Sequence, residues 1–348
     1  MQLIEHLTLF LTTNCNLNCS YCYLGKKEKS VMDWRIAEKA IQLLLQDDEQ
    51  NGKGISFFGG EPLLEKELLY RIAAYVRKHY DGIEMSVTTN GLLLDKETIA
   101  HLKHYGVAVI LSLDGCGEEA NHNRLLPAGS SCWSKVKKQL NEIAISDIEA
   151  VRMTVLPDNV DKLYQNLYGL YELGFRHINF ALDYTSIWTG NQIDIYHEQY
   201  QKVLEFYTDC LRKGEKLYLD VIDNIIYNAV GRYSFRCQYG HGSIAISTDG
   251  MAFPCHREVL NTNAVKSFLY DFTEFHNMEC CIEDEICVDC ELLHRCNFCT
   301  VNIRKNGGSG KDIPEIICKI NRIHIMETDK MAEKLFHEKN KSFMERFY

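Results

Sequence analysis

Six times between Leu7 and Phe180 a short run of β-branched, aromatic or leucine residues gives way to a stretch of helical periodicity. No other feature of the chain constrains its fold as much. The runs fall at 7–11, 55–58, 84–88, 107–111, 151–155 and 177–180, the length of buried strands. Gly59-Gly60, Asn90-Gly91 and Asp114-Gly115 stop the second, third and fourth. Helices are predicted over 33–46, 65–79 and 95–105. In the first, Asp33 is the N-cap, and Ala37, Ile41, Leu44 and Leu45 share one face. A strand, a helix and a parallel strand in series cross over right-handedly. Six such units therefore predict an α/β fold with a parallel sheet, open or closed into part of a barrel.

Composition limits what such a fold can be for. The 348 residues suggest two domains at about 150 residues each. With 46% hydrophobic and 25% charged residues, the chain can bury a core without disulfide staples. A net charge of −10 argues against a nucleic-acid or anionic-membrane partner. No run approaches the ~18 apolar residues of a membrane span. Residues 1–6 lack the basic and then apolar regions of a secretory signal, so a reducing, cytoplasmic compartment is expected.

Polar and glycine residues gather just after the strands, at 14–22, 59–62, 90–91 and 112–115. Parallel α/β folds bind ligands at those carboxyl ends. The first of these loops carries Cys15, Cys19 and Cys22, three of 15 cysteines; nine more lie between Cys237 and Cys318. Clustered thiols in a reducing compartment indicate metal or redox chemistry. Three thiolates on one short loop suit a four-iron cluster and leave one iron open to a small chelating molecule. A structural zinc takes four protein ligands, and no His or Cys adjoins to supply the fourth.

Cys15-Asn16-Leu17-Asn18-Cys19-Ser20-Tyr21-Cys22, following a first strand, resembles the CxxxCxxC signature of the radical S-adenosylmethionine (SAM) superfamily. Tyr21 occupies the aromatic place before the last cysteine. Gly59-Gly60-Glu61-Pro62 resembles the family's GGEP motif, and Thr89-Asn90-Gly91 and Ser112-Leu113-Asp114-Gly115 stand after the third and fourth strands as in relatives. The resemblance implies a partial (β/α)6 TIM-type barrel that binds one [4Fe–4S] cluster and SAM. It implies that Gly59 and Gly60 let the backbone approach SAM, that Glu61 accepts from its ammonium group, and that Ser112 donates to its carboxylate or ribose. Tyr21, Pro62, Asn90 and Asp114 complete the cofactor-binding set. Met153 on the fifth strand is placed to touch adenine or to pack the core. Arg124 falls where relatives carry an arginine, and a solvated surface role is the alternative.

The second cysteine group, Cys237, Cys255, Cys287, Cys290, Cys296, Cys299 and Cys318, resembles the SPASM extension of peptide-modifying radical SAM enzymes. Asp249-Gly250 and Phe253-Pro254-Cys255 strengthen the match, whereas Cys296 and Cys299 enclose two residues where relatives have three. The resemblance implies two auxiliary [4Fe–4S] clusters. Cys287, Cys290, Cys296 and Cys318 would close the distal one, and Cys237, Cys255 and Cys299 would hold the proximal one. The eighth ligand is Cys280 or Cys281, or the site is open to a substrate thiolate. Zinc is the alternative, with His256 and His294 completing mixed sites. The domains expected are a radical SAM barrel at 1–190, a tyrosine-rich helical bridge at 191–231, a SPASM domain at 232–330 and a C-terminal helix at 331–348.

The implied activity is reductive cleavage of SAM to a 5′-deoxyadenosyl radical that takes hydrogen from a residue of a peptide or protein substrate. Such an enzyme draws its electron from a partner such as flavodoxin or ferredoxin, and its clusters suit the cytoplasm of an anaerobic cell. A maturase of ribosomally made peptides, forming a cross-link or an epimer, is the favoured form. An epimerase needs a hydrogen-donating thiol, and Cys116 after the fourth strand is placed better for this than Cys132 or Cys210. An anaerobic sulfatase-maturating enzyme, forming formylglycine, is the alternative. Its relatives carry an Asp base where this chain has His256, which can still take a proton near neutral pH. A non-catalytic iron–sulfur or zinc protein of electron transfer or sensing is the reading from another class.

Overall fold

In the computed structural model of the chain, the residues described are 4–25, 29–45, 52–232, 239–240, 242–259, 261, 264, 266–268, 285–297, 299–309 and 312–348. Cys237, Cys280 and Cys281 lie outside them. The described strands are β1 (His6–Thr12), β2 (Gly54–Gly59), β3 (Glu84–Thr89), β4 (Val107–Ser112), β5 (Ala150–Val155), β6 (His177–Leu182), β7 (Tyr218–Leu219), β8 (Ser243–Ile246), β9 (Met251–Phe253) and β10 (Ser267–Phe268). The described α-helices are α1 (Trp34–Leu44), α2 (Lys66–His79), α3 (Lys96–His104), α4 (Trp133–Leu140), α5 (Leu163–Glu172) and α6 (Gly190–Lys213). They continue with α7 (Asp220–Ala229), α8 (Glu285–Val288), α9 (Thr300–Lys305), α10 (Glu315–His337) and α11 (Lys341–Phe347). All six predicted strands form, within a residue or two of their expected ends. The chain makes two compact units, each from separated stretches: 1–112, 117–149 and 238–279 in one, 113–116, 150–237 and 280–348 in the other.

In the first unit β1, β2, β3 and β4 pair in sequence order, all parallel. Their side chains alternate between two unlike faces. Leu7, Leu9, Ile55, Phe57, Val87 and Val109 are almost fully buried on one. Helices α1, α2 and α3 contribute their own buried rows, including Ile41, Ile72 and Leu102. Each such side chain adds roughly 1.5–3 kcal/mol on burial, and a one-residue slip would turn the whole row to the other face, so the register is fixed. The opposite face carries polar groups that satisfy one another. His6 Nε2 bonds Ser56 Oγ, which bonds Ser86 Oγ, each at 2.9 Å. Asp33 and Asp95 cap α1 and α3 by accepting from the backbone of Arg35 and Thr98.

The free edge of β1 is taken by β8, parallel, with His6 opposite Ser243. β9 then returns antiparallel to β8, and β10 pairs with β9. Strands β8, β9 and β10 thus extend the first sheet. The reason is the edge of β1, whose backbone groups β8 satisfies.

In the second unit β5, β6 and β7 are parallel. Val151, Met153 and Val155 of β5 stand opposite Ile178, Phe180 and Leu182, all buried. The expected bridge contains a long core helix, α6, opened by a Thr189–Gln192 capping box and closed at Gly214 in the left-handed conformation. Its tyrosine richness has a physical cause. Tyr196, Tyr200 and Tyr207 bury their rings and pass their hydroxyls to His324, Thr328 and Asp223. Helix α11 docks through Arg346, which donates to Asp223 at 2.7 Å and stacks 3.8 Å over Tyr218.

Candidate functional site

Beyond β1 the chain enters the cysteine loop, whose shape is set by hydrogen bonds from outside it. Met32 N donates to Leu11 O and Thr12 Oγ1 to Ser30 O, closing one side. On the other, Asn18 N reaches Leu125 O at 2.7 Å and Ser20 N reaches Asn123 O at 2.9 Å. Leu17 is buried beneath. Cys15, Cys19 and Cys22 are left half-buried, so a cofactor can reach the thiols while the backbone stays sheltered.

The Gly-Gly-Glu-Pro turn locks onto the root of this loop. Gly60 N donates to Thr12 O at 2.8 Å and Glu61 N to Asn14 O at 2.7 Å. A Cβ on Gly59, whose φ is +140°, would stand 2.2 Å from Thr12 O, and one on Gly60 2.0 Å from Asn14 O. Both glycines are therefore required by the protein's own backbone. Glu61 is held by its neighbours as well. It is 1% exposed and accepts from Thr89 Oγ1 at 2.7 Å, Asn90 N at 2.8 Å and Leu63 N at 3.1 Å. Burial pushes its carboxyl up from the usual range, while those bonds and the Arg124 charge pull it back. Held by three donors, it ties the turn to the end of β3. Pro62, buried, starts the 3-10 turn that Glu61 caps.

Asn90 faces the cysteines. Its Nδ2 donates to Asn16 Oδ1 at 2.7 Å and lies 3.9 Å from Cys15 Sγ. Arg124 is buried, and its Nη1 donates to Tyr21 Oη at 2.7 Å, which replaces the solvated alternative with a brace on the cysteine loop. Ser112 ends β4 half-buried. His256 follows Cys255 and lies 5.2 Å from the Phe58 ring and 6.3 Å from that of Tyr23, the residue after Cys22. The β8–β9 segment makes this juxtaposition, because Ala245, Phe253 and Val259 pack with Phe10 and Leu24, and Cys22 borders the cluster.

Asp114, Cys116, Met153 and Cys210 lie in the second unit, and Cys132 in the first. Asp114 is buried and accepts from Thr154 N at 2.9 Å, joining its segment to β5. Met153, opposite Phe180, is on the buried face whose partner packs against Tyr200 of α6, which is the core-packing alternative. Cys116 is exposed, close to Gly169 of α5, while Cys132 and Cys210 are buried.

Cys287, Cys290, Cys296 and Cys318, spread over 32 residues of sequence, line one pocket with apolar walls that include Leu293 and Ile317. Among the described residues no three His, Cys, Asp or Glu side chains converge closely enough to hold a single metal ion. Four thiols around one pocket are the donor type and number that a [4Fe–4S] cluster takes. Cys299 opens α9, and Cys255 opens the 3-10 turn His256–Glu258, both half-buried.

A second cavity of about 230 Å³ shares Asn321 and Ile325 with that pocket. Asn179, Asn224, Asn228, Asn297 and His324 also line it. Its charges are paired: Asp220 with His177, and Arg295 with Asp329. Burial drives the His324 pKa down to about 3, so that ring is neutral. The walls offer carboxamides and no net charge. Sequence reasoning quoted Thr89 and Asn16 within motifs but gave them no role, and it missed Asn123 and these asparagines, since nothing local marks a residue whose partner lies dozens of positions away.

The chain is similar to known proteins in sequence and in fold. The family model described as Radical SAM superfamily matches residues 9–168. The radical SAM cyclopropyl synthase TigE of Paramaledivibacter caminithermalis is 22% identical over 96% of this chain and 75% of its own. A cysteine-type anaerobic sulfatase-maturating enzyme of Clostridium perfringens is 25% identical over 72% of this chain and 73% of its own. Among solved structures, anSMEcpe with bound AdoMet has a TM-score of 0.80 at 18% identity, covering 98% of both chains, a likeness of fold.

Proposed function

Because this chain carries a radical SAM domain over residues 9–168, we propose that it is an enzyme that modifies a residue of a peptide or protein, as a maturase. Cys15, Cys19 and Cys22 would hold the SAM-binding [4Fe–4S] cluster. When bound, that cluster supplies the electron that splits SAM into methionine and the 5′-deoxyadenosyl radical, which takes hydrogen from the substrate. The observation that carries the reading is the meeting of three strand ends at one loop: Gly60 with Thr12, Glu61 with Asn14, and Asn90 with Asn16 and Cys15.

The chain's own residues prepare the chemistry. Glu61 fixes the turn and Asn90, and Asn90 donates toward a sulfur ligand, an interaction that tunes a thiolate. Arg124 holds Tyr21 in place, and Ser112 offers a hydroxyl at the end of β4. Cys287, Cys290, Cys296 and Cys318 fit an auxiliary [4Fe–4S] cluster, and the resemblance assigns Cys237, Cys255 and Cys299 to a second. The asparagine-walled cavity favours an uncharged, amide-rich ligand, which supports a peptide as substrate. A flavodoxin or ferredoxin would deliver the electron in an anaerobic cytoplasm.

Sulfatase maturation is the second reading, favoured by the position of His256 beside Tyr23 and Phe58. There it can accept a proton from a substrate thiol or hydroxyl. A cysteine peptide bearing a sulfatase motif would then gain formylglycine, and His256→Ala would lower that yield while sparing SAM cleavage. The primary test is the anaerobic, dithionite-reduced protein given SAM. 5′-Deoxyadenosine is expected, and Cys15→Ala should abolish it while auxiliary iron remains. Cleavage retained in Cys15→Ala would overturn the assignment of the first motif.

A further inference from the structure

Arg322 lies one helical turn after Cys318 on α10, and its Nη2 is 3.8 Å from Cys290 Sγ. Cys318 is its other sulfur neighbour. Neighbouring cations are engaged elsewhere: Arg295 with Asp329 at 2.6 Å, and Lys319 with Glu315 at 2.7 Å. Arg322 also borders the four-cysteine pocket.

We propose that Arg322 is a positioning and tuning residue that raises the reduction potential of the cluster held by Cys287, Cys290, Cys296 and Cys318. The inference rests on the auxiliary-cluster reading above. A [4Fe–4S]2+ core with four thiolates carries a charge of −2, and one added electron makes it −3. A fixed cation beside two of the sulfurs stabilises the more negative state more, so reduction becomes easier. Arg322 also donates a charge-assisted bond to sulfur, which draws density from the irons. Its head is partly in water, so the effect must weaken with salt.

The test is a dye-mediated dithionite titration of the reconstituted full chain in a Cys15→Ala background, followed by electron paramagnetic resonance. The couple altered by Cys290→Ser identifies the cluster. Arg322→Gln should leave iron per chain unchanged and shift that couple to lower potential, the other auxiliary couple staying in place. Arg322→Lys, which keeps the charge, should remain near the parent value, and added KCl should narrow the gap between Gln and parent. If Arg322→Gln does not load, Arg322→Met takes its place: a lower potential than the parent supports the proposal, and an unchanged one overturns it. Full iron with no movement of the couple in Gln, or equal movement in Lys and Gln, overturns the proposal and leaves the cluster reading intact. Zinc or no metal in the four-cysteine pocket overturns both.

Discussion

An added methyl on Gly60 would meet Asn14 O at 2.0 Å, with Asn14 C and Thr13 O also within 3 Å. The two strands of backbone are hydrogen-bonded to each other there, so neither can yield without moving Cys15. Gly60→Ala is therefore expected to lose the first cluster selectively, about four irons per chain, together with 5′-deoxyadenosine formation. Iron analysis of the purified variant checks this, and a full complement of iron with normal cleavage would refute it. Glu61 illustrates a related economy. A buried carboxylate with three donors is costly to remove, since each donor would be left unpaired at about 1–3 kcal/mol.

Helices α6 and α10 pack through rings whose polar ends must be satisfied inside the unit. His324 is half-buried against Tyr196 and Tyr200, and desolvation there takes its pKa to about 3 against an ordinary 6.5. An imidazole depressed in this way binds fewer protons folded than unfolded. Its contribution is complete above about pH 6.5 and is lost progressively as pH falls toward 3, at up to ~1.4 kcal/mol per pH unit. Between pH 7.5 and 5.0 the parent protein should lose about 2 kcal/mol more stability than His324→Phe, despite the variant's lower stability at neutral pH. Urea denaturation at the two pH values reads the difference. Parallel losses in both proteins would show that His324 is not the sensitive group.

For the whole molecule, three clusters require about 12 irons per chain after anaerobic reconstitution. With zinc in the later cysteines the value would be near four, the domain over residues 9–168 would stand, and the argument for a peptide substrate would lose its auxiliary chemistry. No described helix is long and apolar enough to cross a membrane. The two units divide the work unevenly. The first holds the CxxxCxxC loop, the glycine turn, Asn90, Ser112, Arg124 and His256. The second holds Cys116, the amide-walled cavity and the four-cysteine pocket.

Periodicity alone determined the alternation of strands and helices, because side-chain rows repeat every second or every third to fourth residue whatever the rest of the chain does. Ligand chemistry determined the first motif, since three thiolates within eight residues are local by construction. The tertiary structure decided everything that depends on partners distant in sequence. Glu61 meets Thr89 and Asn90 28 and 29 residues on, Arg124 meets Tyr21 across 103, and β8 takes the edge of β1. Met153 illustrates the same limit from the other side: its residue type suits a ligand or a core, and only the register with Phe180 assigns it to the core. A motif names the residues that can do chemistry, but the paths of the loops between strands decide which of them meet.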